Sequence, residues 1–108
     1  MKNDAARWGL KSSVVSNMRA ILTRYPQVSL ATLYGSRAKG NFKPGSDIDI
    51  CLDGHELTFR TMLSIANALN ALELPQKIDV ILRDLVDNPE FLNEIDRTGT
   101  VFYQPNST

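Results

Sequence analysis

One cysteine, one histidine and one tryptophan stand among 108 residues. The lone Cys51 excludes an internal disulfide and any zinc site built on paired thiols, and reads as a small spacer in a strand. His55 has no second histidine to pair with, so it reads as a residue of the turn Asp53-Gly54-His55-Glu56 rather than as a ligand or base. No apolar run approaches the ~20 residues that a membrane span requires, and the opening Met-Lys-Asn-Asp-Ala-Ala-Arg lacks the apolar stretch of a secretory signal. A cytoplasmic protein with no membrane association is therefore expected. Net charge is also missing: the formal total is zero, which argues against a strong, broad grip on nucleic acid.

What is present is ordinary for a globular chain, with 43% hydrophobic and 22% charged residues. The length allows one domain over 1–108 that buries roughly two-thirds of its unfolded surface. Residues 1–12 read as an N-terminal extension, in which Trp8 and Leu10 pack against the first helix or a partner, and 104–108 as a frayed tail. The charges are unevenly placed. Residues 1–45 hold eight Lys or Arg against Asp4 alone, whereas 46–108 hold eleven acids against four bases. One fold could thus offer a phosphate-attracting side and a metal-attracting side.

Periodicity supplies the elements. Ser12 or Ser13 can cap a helix whose Val14, Val15, Met18, Ile21 and Leu22 share one face, ended by Pro26. Val28 to Tyr34 alternates as a strand closed by Gly35, and Ser36 to Ser46 reads as a helical turn and an exposed loop. From Asp47 to Asp53 the period of two sends Ile48, Ile50 and Leu52 to one face and Asp47, Asp49, Cys51 and Asp53 to the other. Thr58 to Leu72 carries the inward stripe Met62, Ile65, Ala66, Leu69 and Leu72 of a helix. Lys77 to Leu82 then repeats the strand arrangement, with Asp79 and Ile81 opposite Ile78, Val80 and Leu82. Asn88, Pro89 and Gly99 frame a final helix with Leu92 and Ile95 buried, and Val101 to Tyr103 can add a short edge strand. The expected fold is α/β (α+β): a small twisted mixed sheet with helices on one face and an open face for a ligand.

Asp is disfavoured inside strands, so Asp49 and Asp79 need a chemical reason to be there. Asp47 and Asp49 point the same way about 6.6 Å apart along the strand, and Asp79 joins them from a second strand. Carboxylates this close repel unless a cation neutralises them, and an all-oxygen set suits magnesium or manganese. Gly35-Ser36 ends a strand and opens a helical turn, where backbone N–H groups attract phosphate. Arg37 and Lys39 follow at a distance suited to the terminal phosphates.

Gly35-Ser36, ten residues, Asp47-x-Asp49 and a later strand carboxylate at Asp79 together resemble the DNA polymerase β-like nucleotidyltransferases. The stretches Leu33-Tyr34-Gly35-Ser36-Arg37-Ala38-Lys39-Gly40, Gly45-Ser46-Asp47-Ile48-Asp49 and Lys77-Ile78-Asp79 resemble the minimal nucleotidyltransferases within that group, over nearly the whole chain. The resemblance implies the nucleotidyltransferase fold, a triphosphate held by Gly35 and Ser36, and two magnesium ions (or manganese) held by Asp47, Asp49 and Asp79. It also implies a helical HEPN-domain partner in a hetero-oligomer. The activity it implies is antitoxin action by transfer of AMP from ATP to a tyrosine hydroxyl of that partner. Two other readings stand beside it: neutralisation by contact alone with a vestigial nucleotide site, and transfer to a small molecule or an RNA end.

Overall fold

The computed structural model describes residues 5–105, so the first four residues of the expected extension and positions 106–108 of the expected tail lie outside the described residues. Helix α1 (Ser12–Leu22) leads to strand β1 (Leu30–Tyr34), the single-turn helix α2 (Ser36–Lys39) and strand β2 (Ile48–Asp53). Helix α3 (Phe59–Asn70) crosses to strand β3 (Ile78–Leu82). A 3-10 turn (Arg83–Leu85), helix α4 (Pro89–Thr98) and strand β4 (Thr100–Tyr103) complete the chain.

The four strands form one sheet in the order β3-β2-β1-β4, with β2 and β3 parallel and the other pairs antiparallel. A parallel pair needs a long crossover, and α3 supplies it between β2 and β3. Ala31, Leu33, Ile48, Ile50 and Leu52 line one face of the sheet and are fully buried under α1 and α3, together with Met18, Leu22, Ile65 and Leu69. Full burial of one such aliphatic side chain contributes roughly 1.5–3 kcal/mol, so this layer is the main source of stability.

The helix ends show local chemistry at work. Thr58 accepts from the Thr61 N–H at 3.1 Å, and Asn88 accepts from the Phe91 N–H at 3.2 Å, each satisfying one of the open donors of a first turn. At α1 the expected serine cap does not form: Lys11 occupies the cap position without a side-chain bond, and both serines lie inside the first turn. The segment before α1 belongs to the core. Ala5, Trp8 and Leu10 are buried, Trp8 lies 5.5 Å from the Phe102 ring, and Arg19 spans both rings while donating to the Phe102 carbonyl at 2.8 Å. Among the described residues, no helix is long and apolar enough to cross a membrane.

The second face of the sheet is open at one end and covered at the other. Helix α4 lies over Tyr34, Cys51 and Ile81 with Phe91, Leu92 and Ile95, forming a small second core in which Cys51 and Ile95 are fully buried. Arg83 fixes this arrangement, its guanidinium meeting Asp53 at 2.8 Å and Asp96 at 2.9 Å. The bonds and the charge of Asp53 outweigh partial burial and strengthen the Arg83 cation. Asp53 shares a face with Asp47 and Asp49 but serves as an ion-pair partner at the far end of β2.

Candidate active site

Strand register brings the acids together. Asp49 faces Tyr34 across the β1–β2 ladder and Asp79 across the β2–β3 ladder, so Tyr34, Asp49 and Asp79 form a row on one face. Adjacent strands run about 4.8 Å apart, which puts Asp49 and Asp79 within reach of one shared cation. Asp47 lies one pleat outward on the same face, just before β2 begins, and is exposed. Because β1 is antiparallel to the other two strands, its C-terminal end meets the N-terminal ends of β2 and β3. Gly35 and Ser36 therefore open beside the acids.

Asp49 is the half-buried member of the set. Burial, then Asp79, then Asp47 push its carboxyl above the usual range, and the Arg37 cation acts in the opposite direction. Tyr34 is 8% exposed and its hydroxyl is likewise held strongly towards the neutral form by burial and then by Asp49 and Asp79. Its ring meets Phe91 edge-on at 5.7 Å, so α4 walls the row on one side.

Gly35 has φ 77° and ψ −156°, a conformation that L side chains avoid, and a Cβ built there would collide with Asp49 Oδ2. The turn and the carboxylate occupy adjoining space that only glycine allows. After it, the Lys39 and Gly40 N–H groups close α2 onto the Gly35 and Ser36 carbonyls, at 3.1 and 2.9 Å. The Ser36 hydroxyl makes no hydrogen bond to another described residue, which leaves it available to a phosphate oxygen.

Arg37 does not join this row. It is 1% exposed, and its guanidinium points into a cage of backbone carbonyls. Nε donates to Ser46, one terminal nitrogen to Trp8 at 2.8 Å and Gly9 at 3.3 Å, and the other to Lys43, Pro44 and Ser46. A guanidinium has five N–H donors, and these acceptors engage all of them. Phe42 stacks on the group at 5.0 Å. Burial weakens the cation while Asp49 supports it. The residue expected to reach a phosphate instead ties the loop 40–46, which leads into Asp47, to the segment before α1. Lys39 is exposed and pairs with Glu94 of α4 at 3.4 Å, a surface contact weak enough to exchange for another anion.

His55 sits beyond the opposite end of β2, in a small polar cleft of about 250 Å³ with Ser29, Asp53 and Asp84, away from the acid row. Sequence reasoning missed the Arg37 cage and the cover that α4 provides. The signal available for the cage was Phe42, the aromatic residue of an otherwise polar loop, whose ring meets Arg37.

Among the described residues no three Asp, Glu, His or Cys side chains already form a closed metal cage. The oxygen-only donors nevertheless fit a hard cation of the magnesium type, which binds through one or two carboxylates and completes its shell with water and substrate phosphate. Burial first, and then the charges of Asp79 and Asp47, hold the Asp49 carboxyl above its usual range, and a cation bound beside it would favour its ionised form.

The polymerase β nucleotidyltransferase domain family matches residues 16–108. Among solved structures, a toxin–antitoxin complex with AMP-PNP contains a chain similar at TM-score 0.68 and 18% identity, over 89% of this chain and 75% of that one. The MNT antitoxin complex with the tri-AMPylated HEPN toxin of Shewanella oneidensis is similar at TM-score 0.65 and 16% identity, over 86% and 71%. The toxin–antitoxin pair MntA–HepT is similar at 0.66 and 15%, over 88% and 74%. Such low identities establish a shared fold. No functionally curated protein matches the chain significantly.

Proposed function

The chain belongs to the polymerase β nucleotidyltransferase family, and on that premise we propose that it moves a nucleoside monophosphate, AMP from ATP, onto an acceptor hydroxyl. The acceptor we assign is a tyrosine of a helical HEPN-domain partner, which makes the chain an antitoxin. The observation that carries the reading is the row itself: Asp49 in register with Asp79, next to a Gly35–Ser36 turn that a side chain at 35 would obstruct. The solved complexes support the choice of nucleotide and partner, since one holds AMP-PNP and another an AMPylated HEPN toxin.

Magnesium, held by Asp47, Asp49 and Asp79, would supply countercharge to the phosphates and acidify the acceptor hydroxyl. The Ser36 hydroxyl and the N–H groups of the α2 turn would hold the β- and γ-phosphates, with Gly35 permitting close approach. The acceptor oxygen then forms a bond to the α-phosphorus, the bond from that phosphorus to pyrophosphate breaks, and the hydroxyl proton passes to Asp79 and on to solvent. Pyrophosphate leaves through the open end of the sheet face. Arg37 contributes by holding the loop that leads into Asp47.

The test is transfer of label from α-labelled ATP to the neighbouring gene's product. Asp47→Ala or Asp49→Ala is expected to abolish labelling while the protein stays folded, and retained labelling would reject the reading. A second reading has a specific observation in its favour: Phe59, Leu63 and Leu85 are 55%, 44% and 58% exposed, an apolar surface suited to neutralisation by contact. Rescue of a toxin-expressing culture by the Asp47→Ala/Asp49→Ala double variant as fully as by wild type would select it.

A further inference from the structure

Asp79 is the second residue of β3, an edge strand of the sheet that follows a seven-residue connection from α3. Edge strands leave alternate N–H and C=O groups unpaired on their outer side and fray from their ends. At this end the inner side is secured, since the Ile48 N–H donates to the Lys77 carbonyl at 2.9 Å and the ladder pairs Ile78 with Ile48. Strand alternation turns the N–H and C=O of Ile78 outward.

Those two groups are met by one side chain. Asn70, the last residue of α3, accepts from the Ile78 N–H through Oδ1 at 3.1 Å and donates from Nδ2 to the Ile78 carbonyl at 2.9 Å. The same Nδ2 also donates to the Ala66 carbonyl one turn back at 2.9 Å, which fixes the amide's orientation on the helix. A carboxamide offers the donor and acceptor of a peptide group, so Asn70 stands in for the strand that β3 lacks, at the residue next to Asp79. Leu69, beside it, is fully buried against the sheet and anchors the helix end.

We infer that Asn70 is a positioning residue for catalysis: by clamping both backbone groups of Ile78 it holds Asp79 in register with Asp49. The inference rests on the reading of the acid row as a metal-dependent transfer site and goes beyond it by assigning a residue that touches neither nucleotide nor acceptor. Asparagine is required because aspartate would present acceptors to two carbonyls and alanine offers nothing.

The experiment combines hydrogen exchange with transfer kinetics on the full chain, using Asn70→Ala, Asn70→Asp and Asp79→Asn singly and Asn70→Ala with Asp79→Asn together. Asn70→Ala is expected to speed amide exchange at residues 78–80 at least tenfold while the β1–β2 ladder is unchanged. It is expected to lower kcat 10- to 100-fold, to raise the manganese concentration for half-maximal rate, and to leave KM for ATP within twofold. Asn70→Asp should behave alike. Added to Asp79→Asn, the alanine substitution should cost little more, because the carboxylate it positions is already gone. With wild type active, unchanged exchange at 78–80 in Asn70→Ala, or losses that multiply in the double variant, would overturn this inference alone. A wild type that neither transfers label nor binds manganese would overturn the reading of the site, and this assignment with it.

Discussion

A side chain at position 35 and the carboxylate of Asp49 would claim the same space: the Cβ absent from Gly35 would fall on Asp49 Oδ2. Backbone conformation adds to the exclusion, since φ 77° strains any other residue. Gly35→Ala is therefore expected to lower stability by about 1–3 kcal/mol. Transfer should fall further than this loss explains, by roughly 100-fold, as misplacing a reacting group does. Urea unfolding and a labelled-ATP assay read the two effects separately, and a fully active, stable variant would contradict the close-approach argument.

Asp49 should cost stability when no metal is bound. Its carboxyl is raised in the folded state, so its contribution is favourable at low pH, where it is protonated, and is lost as the pH rises through its folded value. Asn at position 49 removes the burial of a charge, and then the repulsion from Asp79 and Asp47. In chelator-treated protein at pH 7, Asp49→Asn is expected to raise the melting temperature by a few degrees while abolishing transfer. Adding magnesium with ATP should stabilise wild type and leave the variant unchanged. A lower melting temperature for the variant would show that the acids are compensated within the chain.

Arg37 acts on structure first. Lysine has three donors on a point charge and cannot occupy the carbonyl cage that five planar N–H groups fill. Arg37→Lys is expected to cost about 2–4 kcal/mol, as leaving buried acceptors unpaired does. It should also expose 40–46 to limited proteolysis. A variant that keeps wild-type stability but loses affinity for ATP would return Arg37 to the phosphate-binding role.

Cys51 should be inert in the folded protein. It is fully buried, and burial pushes its thiol up to about 11 despite the attraction of Arg83. A thiol reagent at pH 8 should modify it only after unfolding. The folded pKa lies above the unfolded one, so its contribution is complete below about pH 8.5 and is lost as pH rises through 11. Cys51→Ala should flatten that part of the stability–pH curve. Rapid modification of native protein would contradict the packing of α4 over this strand.

Most of the fold was legible because its determinants are local. The alternation around Ile48, Ile50 and Leu52, the cap at Asn88, the proline at 89 and the stripe Met62–Ile65–Leu69 each report a period or an end that neighbouring residues decide. The acids were legible for a different reason: Asp49 and Asp79 break strand preference, and the β2–β3 register sets the two side by side. What escaped notice depends on contacts remote in sequence. Whether Arg37 meets a phosphate or the carbonyls of Trp8 and Pro44 is decided by where the segment before α1 returns. Asn70 reads as an unremarkable helix end until β3 is laid beside it, and α4 covers Tyr34 and Cys51 through Phe91, Leu92 and Ile95, with Arg83 bridging Asp53 of β2 to Asp96 of α4.

Calorimetric titration of manganese and a non-hydrolysable ATP analogue into wild type and into Asp49→Asn/Asp79→Asn tests the central claim most directly. The account predicts analogue binding by wild type that requires the metal, and loss of the metal-dependent heat in the double variant. Equal binding by both proteins, or no binding by wild type at saturating analogue, would contradict it.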